Sequence, residues 1–251
     1  MSADSPRVPK ADGEATLSRS IRLFAAFRKE QSDPAYFYST LASDTVTQME
    51  QYQQIRGSLV VDVGAGPGYF RRAFEAAGAS YISIDADAGE MAAASLAQDT
   101  SLLGDAQALP LRTGSVDVVF SSNVLEHVPR PEVMADEMLR VARPGGLVFL
   151  SYTLWLSPWG GHETSPWHYV GGEFAARRYE QRHGVSPKNR YGSSLFEVSA
   201  SRMLAWAAAQ ERADILAAKP RYHPRWAQWV VRVPGVRELA TWNLLLVLRR
   251  R

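Results

Sequence analysis

Residues 60–70 read VVDVGAGPGYF, an apolar strand-like run that passes into a glycine-rich turn and then into the start of a helix. In a doubly wound sheet, ligands bind outside the carboxyl ends of the strands, where such a turn lies. Glycine lets the backbone approach a ligand closely, and the free N–H groups of the following helix suit an anionic group. The stretch therefore predicts an α/β domain that binds a ligand at this turn.

This turn departs from two other glycine motifs. A dinucleotide site would need a third glycine where the chain has Tyr69, and a P-loop would need Gly-Lys-Ser/Thr. Asp62, two residues before the first glycine, would repel a pyrophosphate but suits a ligand with an ammonium group and a sulfonium. The ligand-binding residues predicted in this stretch are Asp62, Gly64, Ala65, Gly66 and Gly68.

Further along the chain, short apolar runs alternate with helical segments. Strands are predicted at residues 59–63, 81–84, 101–103, 116–120, 147–152, 215–218 and 243–248, and helices at 17–27, 70–77, 88–97, 132–141 and 201–209. Another helix is expected to begin at Pro34 with Asp33 as its cap. Alternation of strands and helices predicts a parallel sheet that is covered on both faces.

Three more stretches follow the ends of predicted strands. Asp85 ends the second strand about twenty residues after the glycines, where a carboxylate can bind both hydroxyls of a ribose. A nicotinamide-dependent dehydrogenase would share that feature. Residues 104–110 read GDAQALP after the third strand, and residues 121–128 read SSNVLEHV after the fourth. All four stretches are expected at one edge of the sheet.

Their order and spacing resemble the motifs of class I S-adenosylmethionine-dependent methyltransferases, of the type 11 kind, over residues 59–152. The resemblance implies S-adenosylmethionine as cofactor, with Asp85 and Ala86 at its ribose. It also implies Asp105 and Ala106 at its adenine, and Asn123 beside its methionine moiety. The chain is also similar to uncharacterised actinobacterial methyltransferases, through Gly-His-Glu at 161–163 and residues 191–196.

From this resemblance we expect a Rossmann-like, seven-stranded, mostly parallel sheet whose last strand is antiparallel. Residues 1–15 are expected to form a disordered tail, and residues 16–251 a single domain. Within that domain, residues 16–56 would form a helical lid, and residues 153–192 an insert that selects the substrate. The chain of 251 residues has no cysteine, which excludes disulfides and zinc–thiolate sites, and no apolar run long enough to span a bilayer. We therefore expect a cytoplasmic protein.

The acceptor side is less defined. A hydroxyl acceptor benefits from a base with a pKa near neutrality, and histidine is the natural candidate. His127, His162 and His168 are the predicted catalytic residues, although a structural role is open for each. Glu126 reads as a first-turn helix residue or a capping partner, with a functional role left open. Glu163 could orient a histidine base, or His162 and His168 could supply two metal ligands. No dense acidic cluster indicates a magnesium site, so no metal is expected. Trp155, Trp159 and Trp167 would form either a substrate wall or part of the core.

The C-terminal part is basic and rich in tryptophan. Residues 224–233, named here the Trp/Arg segment, would put Trp226, Trp229, Val230 and Val233 on one helical face. That face suits either peripheral membrane contact, helped by the arginines at 249–251, or packing on the domain. The chain lacks the Asn/Asp-Pro-Pro-Tyr/Phe pattern of amino-methylating enzymes, and no nucleic-acid partner is expected.

We therefore predict methyl transfer to oxygen of a small-molecule, saccharide or lipid-linked acceptor. Two alternatives remain at this point. The first is a nicotinamide-dependent oxidoreductase on a related fold, and the second is a module that binds S-adenosylmethionine without turnover. The fold by itself names no acceptor.

Overall fold

The computed structural model describes residues 15–29, 32–93 and 100–251. The predicted disordered tail therefore lies outside the described residues, apart from Ala15. Within these ranges, seven strands form one sheet in the order β3-β2-β1-β4-β5-β7-β6. Strand β7 runs antiparallel to both of its neighbours, whereas β1 to β5 are parallel to one another. The predicted sheet, with its antiparallel last strand, is confirmed.

The strands are β1 Leu59–Val63, β2 Ser80–Asp85, β3 Ser101–Leu103, β4 Val116–Ser122, β5 Ala142–Thr153, β6 Ala213–Pro220 and β7 Asn243–Arg250. The α-helices are α1 Leu17–Phe27, α2 Pro34–Glu50, α3 Arg71–Ala76, α4 Ala88–Ala93, α5 Pro131–Val141, α6 Gly172–His183, α7 Ala200–Ala208 and α8 Val236–Ala240. Short 3-10 helices cover Leu125–His127, His162–Thr164, Trp167–Val170 and Arg225–Arg232.

The helix start predicted at Pro34 is confirmed, because the Asp33 side chain accepts a hydrogen bond from the Tyr36 N–H and caps α2. Strand β5 begins five residues earlier than predicted. Ala142 already pairs with Val116, and the register then shifts before Leu147 pairs with Val118. Part of the helix predicted at residues 88–97 is α4, and its last four residues lie outside the described ranges.

Helices cover both faces of the sheet, as the alternation of elements predicts. On one face, α1, α2 and α3 pack against Val60, Phe120 and Phe149. On the other face, α5 and α7 pack against neighbours such as Val61 and Leu150. Because successive strand residues point to opposite faces, each central strand contributes to both cores.

The insert after β5 has defined structure, but its three tryptophans do not form one wall. Trp155 is buried, with its ring 5.3 Å from that of His168. Trp159 lies 5.0 Å from the ring of Phe27 in α1, and Trp167 lies under the Arg178 guanidinium at 3.9 Å. Each ring therefore anchors a different part of the insert. The selection of substrate by this insert stays a prediction.

The Trp/Arg segment also departs from its predicted form. It is a 3-10 helix, whose buried residues are Ala227, Val230 and Val231, while Trp226 is 72% exposed and Trp229 53% exposed. The two tryptophans therefore do not share a face with Val230. No helix within the described ranges is long and apolar enough to cross a membrane.

Candidate cofactor and acceptor site

The glycine turn leaves the carboxyl end of β1 and is held against β2. The Gly64 N–H donates to the Ile84 carbonyl oxygen at 2.8 Å, and Gly64 has a φ of +77°. A Cβ at this position would overlap the side chain of Val124, which follows β4. Glycine is therefore required at Gly64 both for its backbone conformation and for the close approach of the β4 loop.

Asp85, at the end of β2, connects the turn to the neighbouring strand. One of its carboxylate oxygens accepts from the Gly66 N–H at 2.7 Å, and the other accepts from the Asp87 N–H at 2.9 Å. Ala86 lies between these contacts, and Gly68 ends the glycine turn ahead of α3. Since each carboxylate oxygen has two lone pairs, Asp85 can still accept hydrogen bonds from a ribose.

Asp62 is buried within β1, where its carboxylate accepts a hydrogen bond from the Tyr81 hydroxyl. Burial raises the pKa of the Asp62 carboxyl to about 7, and the charge of Asp85 adds to the increase. A cationic group of a ligand near this carboxyl would favour its ionised form. The position of Asp62 is therefore compatible with the predicted contact to an ammonium group.

The loop after β3 carries the residues predicted at adenine. The Gly104 N–H donates to the Asp85 carbonyl oxygen at 2.8 Å, which places this loop beside the end of β2. Asp105 accepts from the Gln107 N–H at 2.8 Å, and the side chain of Ala106 packs against the core. The loop is thereby ordered next to Asp85.

Asn123 follows β4 in a left-handed conformation, with a φ of +58°. Its side-chain oxygen accepts from the Asn243 amide at 2.7 Å, and its N–H donates to the Ser151 carbonyl oxygen at 2.9 Å. These contacts tie the end of β4 to β5 and to the start of β7. Since the next residue, Val124, packs against Gly64, Asn123 also lies close to the glycine turn.

Glu126, His127 and His162 meet beyond Asn123 and are named here the Glu/His cluster. Their candidate ligand atoms all lie within 4.8 Å of one another. Glu126 is 1% exposed, and one of its carboxylate oxygens accepts from the Thr153 N–H at 3.0 Å. The rings of the two histidines lie 5.1 Å apart. The cluster thus joins residues from the β4 loop and from the insert.

Burial sets the charge of this cluster. It raises the pKa of the Glu126 carboxyl, although the neighbouring His127 lowers it in part. Burial also lowers the pKa of His162 to about 4, so that its imidazole is neutral near pH 7. Glu163 does not orient this imidazole, because its two carboxylate oxygens accept from the Asn189 backbone N–H and side-chain amide at 2.7 and 2.9 Å.

His168, the third predicted catalytic histidine, lies apart from the cluster. Its Nε2 faces the Ser157 carbonyl oxygen at 3.1 Å, and its Nδ1 lies 3.4 Å from the Ser165 hydroxyl. Burial lowers its pKa. Since both ring nitrogens face partners of the insert itself, these contacts are those of a packing residue. Its role as a base stays a prediction that the structure does not favour.

A buried cationic network at the same edge was not predicted from the sequence. The Arg221 guanidinium, fully buried, donates to the hydroxyls of Ser122 and Ser151 at 2.7 and 2.6 Å. Arg19 donates to its carbonyl oxygen at 3.1 Å and pairs with Asp44. Arg221 belongs to the basic C-terminal part of the sequence, and a linear pattern gives no sign that its side chain turns inward.

Taken together, the described residues at this edge of the sheet fit S-adenosylmethionine. Loops that carry the predicted contacts follow β3, β2, β1 and β4, which are consecutive neighbours in the sheet. One edge of the sheet therefore carries three features: a glycine turn with no room for a side chain at Gly64, the carboxylate of Asp85, and a second acid, Asp105. This arrangement is where a doubly wound sheet binds its ligand.

Comparison with known proteins defines the class. A family model described as "Methyltransferase domain" matches residues 61–150. The fold is also that of an S-adenosylmethionine-dependent methyltransferase from Mesorhizobium loti, with a TM-score of 0.55 at 20% identity, covering 85% of this chain and 98% of the other. Fold and site together are those of a methyltransferase whose methyl donor is S-adenosylmethionine.

Closer relatives place the chain within that class. An uncharacterized methyltransferase of Mycolicibacterium gilvum is 53% identical over 247 residues, which cover 94% of this chain and 96% of the relative. Another, from Mycobacteroides abscessus, is 52% identical over 250 residues with the same coverage. The chain belongs to this family of methyltransferases. The two alternatives raised above, an oxidoreductase and a module without turnover, are set aside.

Proposed function

We propose that this methyltransferase acts on a hydroxyl oxygen of a small-molecule, saccharide or lipid-linked acceptor. The observation that supports the proposal is the Glu/His cluster, which follows β4 next to the glycine turn. It places the imidazole rings of His127 and His162, 5.1 Å apart, where an acceptor would approach the donor. Oxygen acceptors need such a group more than amines do, because a hydroxyl must lose its proton during transfer.

His127 has the orientation of a base. Its Nδ1 lies 2.6 Å from the Ser194 carbonyl oxygen, which can only accept, so that Nδ1 carries the proton. Nε2 is then the ring nitrogen whose lone pair would take the hydroxyl proton. S-adenosylmethionine supplies a methyl group on sulfur, and its transfer forms the O–C bond and breaks the S–C bond, whose electron pair stays on sulfur.

The test is transfer of labelled methyl groups from S-adenosylmethionine to acceptors in a cell extract, followed by separation into lipid, saccharide, protein and nucleic-acid fractions. Label in an ether-linked methyl group of a lipid or saccharide is expected from the native chain. Asp85→Ala should abolish it through loss of donor binding. His127→Gln should lower the transfer rate at least tenfold while S-adenosylhomocysteine still binds.

Glu163→Gln is the matched control, because this carboxylate neighbours His162 in the chain yet is engaged by Asn189. It should transfer label at nearly the native rate. Label confined to nitrogen or carbon atoms, or to protein or nucleic acid, would overturn the oxygen proposal.

We further propose that the acceptor is presented at a membrane surface. Support comes from the exposed Trp226 and Trp229 with the exposed Arg225 and Arg232 around them. The Arg225 N–H donates to the Ala15 carbonyl oxygen at 2.7 Å, which places the Trp/Arg segment against the start of α1. Leu17 and Ile21 of α1 are exposed as well. Exposed tryptophan beside arginine suits the interface of an anionic bilayer.

Vesicle sedimentation tests this surface. The native chain should sediment with vesicles that contain phosphatidylglycerol. With vesicles of phosphatidylcholine only, it should stay in the supernatant. The double variant Trp226→Ala/Trp229→Ala should lose most of the binding, since the exposed rings carry the apolar contact. Trp167→Ala, which removes a ring of the insert that is 40% exposed, is the control. Equal sedimentation of all three proteins would argue against the proposal.

A further inference from the structure

We propose that the Glu/His cluster binds one divalent transition-metal ion, through a carboxylate oxygen of Glu126 and a ring nitrogen from each of His127 and His162. The sequence has no dense acidic cluster of the kind that a magnesium site needs, and for that reason it predicts no metal. Two imidazoles and one carboxylate form a different donor set. It is a set that zinc and other first-row transition metals use.

Distances within the cluster are compatible with this site. The candidate ligand atoms lie within 4.8 Å of one another. Ligand atoms at about 2.1 Å from a tetrahedral zinc are roughly 3.4 Å apart. The ligand atoms therefore need to approach one another by at most about 1.4 Å to surround an ion.

Two buried atoms in the cluster have no hydrogen-bond partner within the described part of the chain. They are one carboxylate oxygen of Glu126, Oε2, and the Nε2 atom of His162. Leaving a buried acceptor unsatisfied is unfavourable, and more so for a charged group. Both atoms belong to side chains of one cluster, and a shared cation would satisfy both of them.

The remaining contacts orient the other donors. Glu126 keeps its Oε1 on the Thr153 N–H at 3.0 Å, which leaves Oε2 for an ion. His127 keeps its Nδ1 on the Ser194 carbonyl oxygen at 2.6 Å, which leaves Nε2. A hydrogen bond from the second ring nitrogen to a carbonyl oxygen is how proteins commonly fix a histidine that binds a metal.

Backbone conformation points to the same place. Asn123 and His162, with φ of +58° and +49°, are the non-glycine residues that have positive φ in the described ranges. Such conformations are uncommon outside glycine and concentrate at functional sites. One of the two residues precedes Glu126 by three positions, and the other is itself a proposed ligand.

The role of the ion rests on the oxygen acceptor of the proposed function, whereas its binding does not. With an ion bound, the ion would replace His127 as the group that activates the hydroxyl. Three protein ligands leave at least one position open, as in catalytic zinc sites. An acceptor hydroxyl at that position would lose its proton at lower pH, because the cation stabilises the negative oxygen. The proton would then pass to water in the cleft, since Nε2 of His127 would be occupied by the ion.

Titration of metal-free protein with Co²⁺ tests the site. Co²⁺ takes the place of zinc, and its visible absorption depends on its ligands. The native chain should bind one equivalent, and Glu126→Gln and His162→Gln should each weaken binding more than about tenfold. The matched controls are Glu163→Gln and His183→Gln, and both should bind Co²⁺ as the native chain does.

Binding of S-adenosylhomocysteine to each variant checks that the fold is retained. If a cluster variant fails to fold, X-ray absorption of the Zn²⁺-loaded native chain decides, and a first shell with two imidazoles is expected. A native chain that takes up no Co²⁺ or Zn²⁺, a metal shell without imidazole, or folded cluster variants that bind like the native chain would each overturn the site.

The two proposals fail separately. Metal binding at the cluster together with label on nitrogen would refute the oxygen acceptor and leave the site standing. Label on oxygen at an undiminished rate after removal of the metal would refute the catalytic role of the ion and leave the acceptor proposal standing.

Discussion

Gly64 and Gly57 have nearly the same left-handed backbone, with φ of +77° and +78°, but differ in their surroundings. A Cβ at Gly64 would overlap Val124, whereas a Cβ at Gly57 would meet no atom within 4 Å. Alanine substitution at these two glycines therefore distinguishes two effects, which are backbone strain from the left-handed conformation and steric overlap of the new Cβ with a neighbour. The first affects both positions, and the second affects only the position at the cofactor site.

We expect Gly57→Ala to lower the free energy of unfolding by about 1 kcal/mol, from backbone strain alone. Gly64→Ala should lower it by about 1–3 kcal/mol more and weaken binding of S-adenosylhomocysteine, because the turn must shift away from Val124. Urea denaturation and calorimetric titration measure both effects. Equal losses in the two variants would contradict the steric argument, and partial recovery in Gly64→Ala/Val124→Ala would support it.

Asp62 predicts a pH dependence of stability. Its pKa is about 7 in the folded chain and 3.8 in the unfolded chain, so the folded state holds the proton more tightly. Stability from this group is therefore present below pH 4 and is lost as the pH rises towards 7. His162 acts in the opposite direction, since its pKa of about 4 in the folded chain is below its ordinary value of 6.5.

The contribution of Asp62 is isolated by comparison with Asp62→Asn. Between pH 5 and pH 8, the native chain should lose about 2–4 kcal/mol more stability than this variant, from the cost of ionising a buried carboxyl. Urea denaturation at both pH values measures the difference. Equal losses of stability between pH 5 and pH 8 in the two proteins would mean that Asp62 ionises as easily in the folded chain as in the unfolded one.

Residues close in sequence were the ones that could be placed in advance. The glycine turn and Asp85 each follow a strand directly, so local pattern and the rule for doubly wound sheets located them together. His162 is different, because it reaches His127 across an insert that has no periodicity. The sequence also gives no sign that the backbone of His162 is left-handed. Pairing of the two histidines therefore required the structure.

At the level of elements, α1 is fixed to α2 by a buried ion pair. The Arg19 guanidinium donates to both carboxylate oxygens of Asp44, at 2.7 and 2.6 Å, and both side chains are almost fully buried. Arg22, also on α1, lies 3.5 Å from the same carboxylate but is 62% exposed. One carboxylate thus has a buried partner and an exposed one.

Substitution of these two arginines by methionine tests the anchor. Arg19→Met should lower the free energy of unfolding by about 3 kcal/mol, because it leaves Asp44 buried with only an exposed partner. Arg22→Met should change it by less than about 1 kcal/mol. Urea denaturation compares the two, and similar losses would show that Asp44 relies on neither arginine in particular.

Whether α1 and α2 act as a lid over the cofactor stays a prediction. They form part of the core under the sheet, and Tyr38 of α2 stacks on Tyr69 of the glycine turn at 4.7 Å. The sequence did predict both helices, since their apolar spacing and the Asp33 cap are local features. It could not predict which surface they would cover.

The Trp/Arg segment shows a limit of periodicity. A spacing rule for α-helices grouped Trp226 and Trp229 with Val230, but the segment is a 3-10 helix, whose residues turn by a different angle. The arginines at 249–251, which were expected to help membrane contact, lie at the C-terminal end of β7, whereas the Trp/Arg segment precedes β7 in the chain. Arg249 donates to the Tyr52 carbonyl oxygen, and Arg251 pairs with Asp214. They do not add to the membrane surface proposed here.

Across the whole molecule, stability should be highest in the centre of the sheet. Strand β7 lies between β5 and β6 with residues 244–248 fully buried, whereas β3 is a three-residue edge strand with exposed side chains. Amide hydrogen exchange should therefore be slowest in β4, β5 and β7 and fastest in β3. Faster exchange in β7 than in β3 would contradict the packing described here.

Addition of S-adenosylhomocysteine should slow exchange at residues 64–68, 85–87 and 104–107, which follow neighbouring strands at one edge. Exchange in α7, which lies outside both the insert and the cofactor-binding loops, is the internal reference. Protection confined to the insert would place the cofactor elsewhere.

The position of β7 has a consequence for synthesis on the ribosome. In chain order, β6 at Ala213–Pro220 emerges before β7 at Asn243–Arg250, yet it joins the sheet only through β7. Until β7 leaves the exit tunnel, the nascent chain carries β5 as an open apolar edge, which is prone to pair with other chains. We expect slow codons between residues 220 and 243 to reduce the soluble yield of an unchanged amino-acid sequence, because they lengthen the time for which the sheet is unfinished.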